Sequence, residues 1–131
     1  IDLDLSRYDS IATRFAAVAQ VNAHEVATMR ERRERIRAQL DSLLGDDTVL
    51  MWPTAPDIAP KLQLPPQETV QVRERMLALL CPAGLGGLPQ ITLPMAQVNG
   101  VPVGLSLIAG RGRDELLLSV AMSLETTTPA G

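Results

Sequence analysis

Gln90-Ile91-Thr92-Leu93-Pro94 and Val101-Pro102-Val103-Gly104-Leu105-Ser106-Leu107-Ile108 flank Asn99-Gly100, and the architecture follows from these residues. Both runs are short, apolar and rich in β-branched residues, which fit a pleated surface. Asn-Gly tolerates the positive φ angles of a two-residue turn, so the pair predicts a β-hairpin with its tip at Asn99-Gly100. Pro94 and Pro102 cannot donate to a ladder and are expected at strand ends or irregular pairings. Leu105 to Ile108 form a nearly unbroken apolar run, which implies cover on both faces of that strand.

Outward from the hairpin, helical signals appear on both sides. After Ile108 comes a turn, Ala109-Gly110-Arg111-Gly112-Arg113, and Asp114 is placed to cap a last helix with Leu116, Leu117, Val120 and Leu124 on one face. Before the hairpin, Val72, Met76 and Leu79 or Leu80 predict a helix over residues 69–80, stopped by Pro82 and Gly84. Further back, residues 53–66 carry five prolines, at 53, 56, 60, 65 and 66. They predict an ordered loop against a cleft, neither helix nor central strand. Val49-Leu50-Met51-Trp52 reads as a buried strand closed by Pro53.

The first third is helical. Asn22 and Glu25 form a capping-box pair, each able to satisfy a backbone N–H of the first turn. Val26, Met29, Ile36, Leu40 and Leu43 then step by threes and fours, with Arg33 filling the gap. They predict a long helix over residues 23–44, with Gly45 ending it in a left-handed conformation. A shorter helix is expected after Asp9 or Ser10, with Ile11, Phe15 and Val18 on one face.

Composition narrows the function classes. Hydrophobic residues are 46% of the 131, enough for a core, while aromatics are 2%, too few to form a stacking platform for bases. The net charge of −3 gives no pull towards polyanions, so no nucleic acid is expected as a partner. The Arg30-to-Arg37 run holds five arginines, but it also holds Glu31 four residues before Arg35, the pairing of a solvated helix face. One cysteine, Cys81, fits a reducing, cytoplasmic setting, and no apolar run is long enough to span a membrane. The acidic start, without an initiator methionine, suggests an excised or trimmed piece. His24 and Cys81 together do not offer the converging ligands of a metal site. His24 reads as a partly exposed helix residue, and Cys81 as a small core residue.

Four blocks then carry a family resemblance. Residues 81–94, Cys81-Pro82-Ala83-Gly84-Leu85-Gly86-Gly87-Leu88-Pro89-Gln90-Ile91-Thr92-Leu93-Pro94, resemble the "N-L-A-G-L-P-x-x-x-x-P" stretch of amidase-signature hydrolases. Residues 99–108 resemble that family's "G-L-P-V-G-L-Q-L-I-G" strand, and residues 113–118 its "x-D-E-x-L-L". Residues 48–60, running from Thr48 through Trp52-Pro53-Thr54-Ala55-Pro56 to Pro60, follow "D-V-L-L-x-P-T-x-P-x-x-A-P". The blocks occur in the family's order. The resemblance implies the C-terminal part of an enzyme that hydrolyses amide C–N bonds. Branches of the family include indoleacetamide hydrolases and the A-type subunits of glutamyl-tRNA amidotransferase.

The departure from the family matters as much. The family uses a Ser–Ser–Lys triad with a Gly/Ser-rich stretch that stabilises the oxyanion. This sequence has one lysine, Lys61, in the proline-rich loop, and serines only at 6, 10, 42, 106, 119 and 123. The family places its triad N-terminal to these blocks. No catalytic residue is therefore assigned to residues 1–131, and no metal or cofactor is implied. The resemblance places Leu77, Cys81, Gly84, Leu85, Gly86 and Gly87 at the acyl side of a small amide substrate. The same glycines also read as close backbone packing. The expected architecture is α/β: helices packed on a mixed β-sheet that belongs to a larger one, with an exposed edge through which oligomers could form. A non-catalytic binding or subunit-interaction domain is the alternative, and an unrelated small α/β domain a third.

Overall fold

The computed structural model describes residues 16, 18 and 20–127. The short helix expected from Asp9 or Ser10 lies outside them. Helix α1 (Ala23–Leu43) is followed by strand β1 (Val49–Pro53), helix α2 (Pro66–Gly86), strands β2 (Gln90–Val98) and β3 (Val101–Ala109), and helix α3 (Asp114–Thr127). The chain divides into two compact units, residues 1–34 and 35–131, with the boundary inside α1.

In the first unit, α1 starts as its sequence dictates. The Asn22 side chain accepts from the Glu25 N–H at 2.9 Å, and the Glu25 carboxylate accepts from the Asn22 N–H at 3.1 Å. Both halves of the capping box are formed. The apolar stripe is less well covered than its periodicity predicts: no residue of α1 is buried, and Met29 is exposed.

The second unit is built on three strands in the order β1-β3-β2, all paired antiparallel. Any parallel pairing of the expected mixed sheet is not among the described strands. Asn99 and Gly100 turn the β2–β3 hairpin with φ of 52° and 78°, the positive values that this dipeptide tolerates. The ladder slips between Leu93 and Ala96, and Pro94 sits inside that irregularity. A residue without an N–H costs least there.

β3 is central and covered on both faces, as its continuous apolar run requires. Leu107 and Ala109 pack with Leu93 of β2 and with Leu117 and Ala121 of α3. On the opposite face, Ile108 packs with Leu44, Ala83 of α2 and Leu88. β1 was expected to be equally buried and is not. It is an edge among the described strands, and Met51 is 56% exposed.

Four helix boundaries depart from the sequence reading. α2 begins at Pro66 and not near Thr69, because a proline at the first helical position gives up only an N–H that has no helical partner. It also continues through Pro82 to Gly86. Pro82 forfeits one helical hydrogen bond, yet the turn beyond it is held from outside. Ala83 and Gly86 are buried, and the N–H groups of Gly87 and Leu88 both reach the Ala83 carbonyl. Gly87, with φ of 65°, is the left-handed cap, three residues beyond the stop expected at Gly84. Gly45 does not adopt a left-handed φ; α1 ends one residue earlier, and Leu44 turns inward to be buried. Asp114 is the first residue of α3 and not its cap, and it places an acid in the first turn, where the helix dipole favours one.

Candidate functional site

Alternation along the strands assembles a polar patch on the α2-facing side of the sheet. Trp52 and Thr92 both lie opposite Ser106 in the register. Ser106 is fully buried. Its hydroxyl accepts from Gln90 Nε2 at 2.8 Å and lies 2.7 Å from Thr54 Oγ1. Thr92 Oγ1 stands farther off, 3.4 Å from Ser106 Oγ and 3.3 Å from Thr54 Oγ1. The Thr54 N–H donates to the Gly104 carbonyl at 2.8 Å, which carries the β1–β3 pairing one residue past Pro53 and fixes Thr54 against the sheet.

These threonines form one wall of a pocket of about 620 Å³. The proline-rich loop supplies a second wall, through residues 54–61. α2 supplies a third, through Glu68, Val72, Arg75 and Met76. The volume is in the range of small-molecule sites, which are typically about 300–1,000 Å³. The lining is largely apolar. Its charged residues are balanced, with Asp57 and Glu68 against Lys61 and Arg75. The loop expected to lie against a cleft does so.

The residues predicted from the resemblance lie on a neighbouring face of α2. Leu77, Cys81 and Leu85 recur every four residues, on a face turned from the Val72–Met76 stripe. Cys81 and Leu85 line a shallow groove with Ile36, Leu40 and Leu43 of α1. Leu77 is 47% exposed and Gly84 is exposed. Gly86 is buried against Leu40 and Leu88, and its carbonyl accepts from Arg111 at 2.7 Å. Arg111 also pairs with Asp41, so one side chain ties the end of α1, the end of α2 and the β3–α3 turn together. Gly87 is the exposed cap. Three of the six predicted residues thus share one helix face, and Gly86 serves packing. The hydroxyl cluster was not predicted. Its signal was a set of polar residues, Gln90, Thr92 and Ser106, at alternating positions of apolar strands.

Lys61 is exposed in the loop, and His24 is exposed on α1. Among the described residues, no three acidic, histidine or cysteine side chains converge as metal ligands, and no helix is long and apolar enough to cross a membrane.

An antiparallel sheet with helices on both faces and an apolar, hydroxyl-walled pocket defines an α/β fold. Comparison with known proteins specifies it. The sequence model of the family described as Amidase matches residues 6–118, and the chain belongs to that family. It is 33% identical over 111 residues to Amidase 1 of Oryza sativa subsp. japonica, covering 85% of this chain and 26% of that protein. The fold matches the A-type subunit of glutamyl-tRNA(Gln) amidotransferase from Thermotoga maritima with a TM-score of 0.69 and 26% identity, over 91% of this chain and 26% of that one. It matches the Kluyveromyces lactis allophanate hydrolase with a TM-score of 0.77 and 26% identity, over 91% of this chain and 19% of the other. The chain therefore spans about a quarter of the length of the relatives it matches.

Proposed function

We propose that the chain is the C-terminal part of an amidase-signature enzyme that hydrolyses the C–N bond of a small linear amide. The observation that carries this reading is the family match over residues 6–118, joined to a fold shared with amide-hydrolysing relatives. In this reading, residues 1–131 supply core and pocket wall. A Ser–Ser–Lys triad outside them performs serine acylation, release of ammonia or amine, and hydrolysis by water, without a metal or cofactor. Leu77, Cys81, Gly84, Leu85, Gly86 and Gly87 approach the acyl side. The exposure of Leu77 and Gly84 supports this, since a wall that awaits its opposite half must be uncovered here. Leu77 offers neither charge nor hydrogen bond, so the acyl group beside it is apolar. The lone Cys81 supports a cytoplasmic setting. The edge of β1 supports oligomer formation.

The test joins this chain to a triad-bearing amidase segment and measures amide turnover. Leu77→Asp is expected to lower kcat/KM for an apolar amide, because a carboxylate would have to be desolvated against the substrate. An increase would show that Leu77 does not face the acyl group. A joined protein that folds and turns over no amide would overturn the enzymatic reading.

A further inference from the structure

The chain has two asparagines, Asn22 and Asn99, and their chemical settings are opposite. A side-chain amide is lost when the backbone nitrogen of the next residue attacks its Cγ and closes a five-membered ring. The attack needs an uncrowded nitrogen and a side-chain carbonyl that is not held elsewhere. Asn22 meets neither condition. Its Oδ1 accepts from the Glu25 N–H at 2.9 Å, and the next nitrogen belongs to Ala23, which carries a Cβ and opens α1. At Asn99 the next nitrogen belongs to Gly100, where even an added Cβ would meet nothing within 4 Å. Both residues are exposed, and the ladder closes at the Val98–Val101 pair, so the Gly100 N–H lies outside it. The tip is also lightly held. Beyond the slip between Leu93 and Ala96 three pairs remain, Ala96–Val103, Gln97–Pro102 and Val98–Val101, and Ala96, Gln97 and Val98 are exposed. Few buried contacts resist local opening there.

We infer that Asn99 is a site of spontaneous deamidation, and that its isoaspartyl product unlocks the tip of the β2–β3 hairpin. The Gly100 nitrogen bonds to Asn99 Cγ, the Cγ–Nδ2 bond breaks, and ammonia leaves with the proton that the Gly100 nitrogen gave up. Water then opens the ring. Addition at Cγ breaks the bond just made and yields aspartate. Addition at the backbone carbonyl of residue 99 breaks the original peptide bond, and the main chain then runs through the former side chain. Nothing is oxidised or reduced, and water is the co-reactant. The two products differ in backbone length. Aspartate keeps it, and like asparagine it tolerates the left-handed φ of 52° at this position. The isoaspartyl residue adds a methylene to the main chain, which a two-residue turn matched to the twist of its strands does not accommodate. The three pairs beyond the slip are the ones this strains. Residues 90–93 and 105–108 stay paired, because Leu93, Leu107 and Ile108 are buried. The slip at Pro94 thus separates a modifiable tip from a fixed base. This site is independent of the amidase reading.

The 131-residue chain would be aged in neutral buffer at physiological temperature and digested with trypsin at intervals. Cleavage after Arg75 and Arg111 isolates Asn99 in residues 76–111, and cleavage after Arg14 and Arg30 isolates Asn22 in residues 15–30. Mass spectrometry is expected to show the amide-to-acid mass gain in residues 76–111, with fragmentation placing it at Asn99 and not at Gln90 or Gln97. Chromatography should split that peptide into an isoaspartyl and an aspartyl form. The rate at Asn99 should exceed that at Asn22 by roughly fivefold or more, the factor carried by releasing one helix cap alone. Hydrogen exchange in the aged chain should be faster over residues 96–103 and unchanged over 105–108, while Asn99→Asp should exchange like the fresh chain. Equal rates at the two asparagines, no gain at Asn99, or an aspartyl form alone would overturn the site. Equally fast exchange in Asn99→Asp, or unchanged exchange in an aged chain rich in the isoaspartyl form, would overturn its effect on the tip. The rates are read on the unmutated chain, so the site assignment needs no variant to fold.

Discussion

Gly104 is the residue at which sequence and space meet most tightly. It faces two threonines that lie 50 and 12 positions away in the chain, and the clash a Cβ would meet is with short, β-branched side chains already held by hydrogen bonds. Thr92 would have to rotate, and rotation would break the hydroxyl cluster. Gly86 is the useful contrast. A Cβ there would meet Leu40 Cδ1 and Leu88 Cγ at 2.9 Å, but the Leu40 atom is the free end of a flexible side chain, and alanine in a helix gains about 1 kcal/mol over glycine. Gly104→Ala is therefore expected to destabilise the chain by about 1–3 kcal/mol in urea unfolding, and Gly86→Ala by distinctly less. Equal losses would show that crowding at residue 104 relaxes as cheaply as at residue 86. None of this was legible in the sequence, because nothing local ties Thr54 to Thr92. What was legible was that Ser106 is polar in an otherwise apolar run. The family strand quoted above has glutamine at that place, and here the amide group comes instead from Gln90 on the neighbouring strand.

At the scale of elements, the signals that read well were those whose cause is local. The capping box at Asn22 and the turn at Asn99-Gly100 are decided within four residues, and both formed as their chemistry requires. The hairpin gives a direct test. Gly100→Ala puts a Cβ at φ of 78°, where an L-residue costs about 1–2 kcal/mol, although nothing lies within 4 Å to obstruct it. The expected outcome is a loss of stability of that size with an unchanged fold by circular dichroism. A neutral result would place the strain elsewhere. The elements that misled were those decided by packing. Pro82 reads as a stop until Ala83 and Gly86 are seen to be buried and Arg111 to bind the last turn. Gly45 reads as a helix cap until Leu44 is seen to need the space beneath the sheet. β1 reads as buried because Val49 to Trp52 are all apolar, and apolarity alone cannot say whether a covering element belongs to the same chain.

At the scale of the whole molecule, that last point becomes a prediction about the isolated 131 residues: they should hydrolyse no amide and should associate as concentration rises. The catalytic half rests on inventory. The family's route needs a neutral lysine, a relay serine and a nucleophilic serine within hydrogen-bond reach. Lys61, the single lysine, is exposed in the proline-rich loop. Ser106 is the fully buried serine among the described residues, and its hydroxyl is engaged by Gln90 and Thr54. The association half rests on surface. Met51, Leu77, Leu118 and Met122 are 47–67% exposed, and β1 presents an unpaired edge among the described strands. Exposed apolar side chains together with an open strand edge favour association. Sedimentation from micromolar to hundreds of micromolar protein should show a rising mass, and Met51→Lys on the edge strand should reduce it, since a charge there opposes strand addition. Amide turnover abolished by mutating a residue of this chain would refute the inventory argument. A sharply melting monomer across that whole range would refute the surface argument and would favour a self-sufficient binding domain.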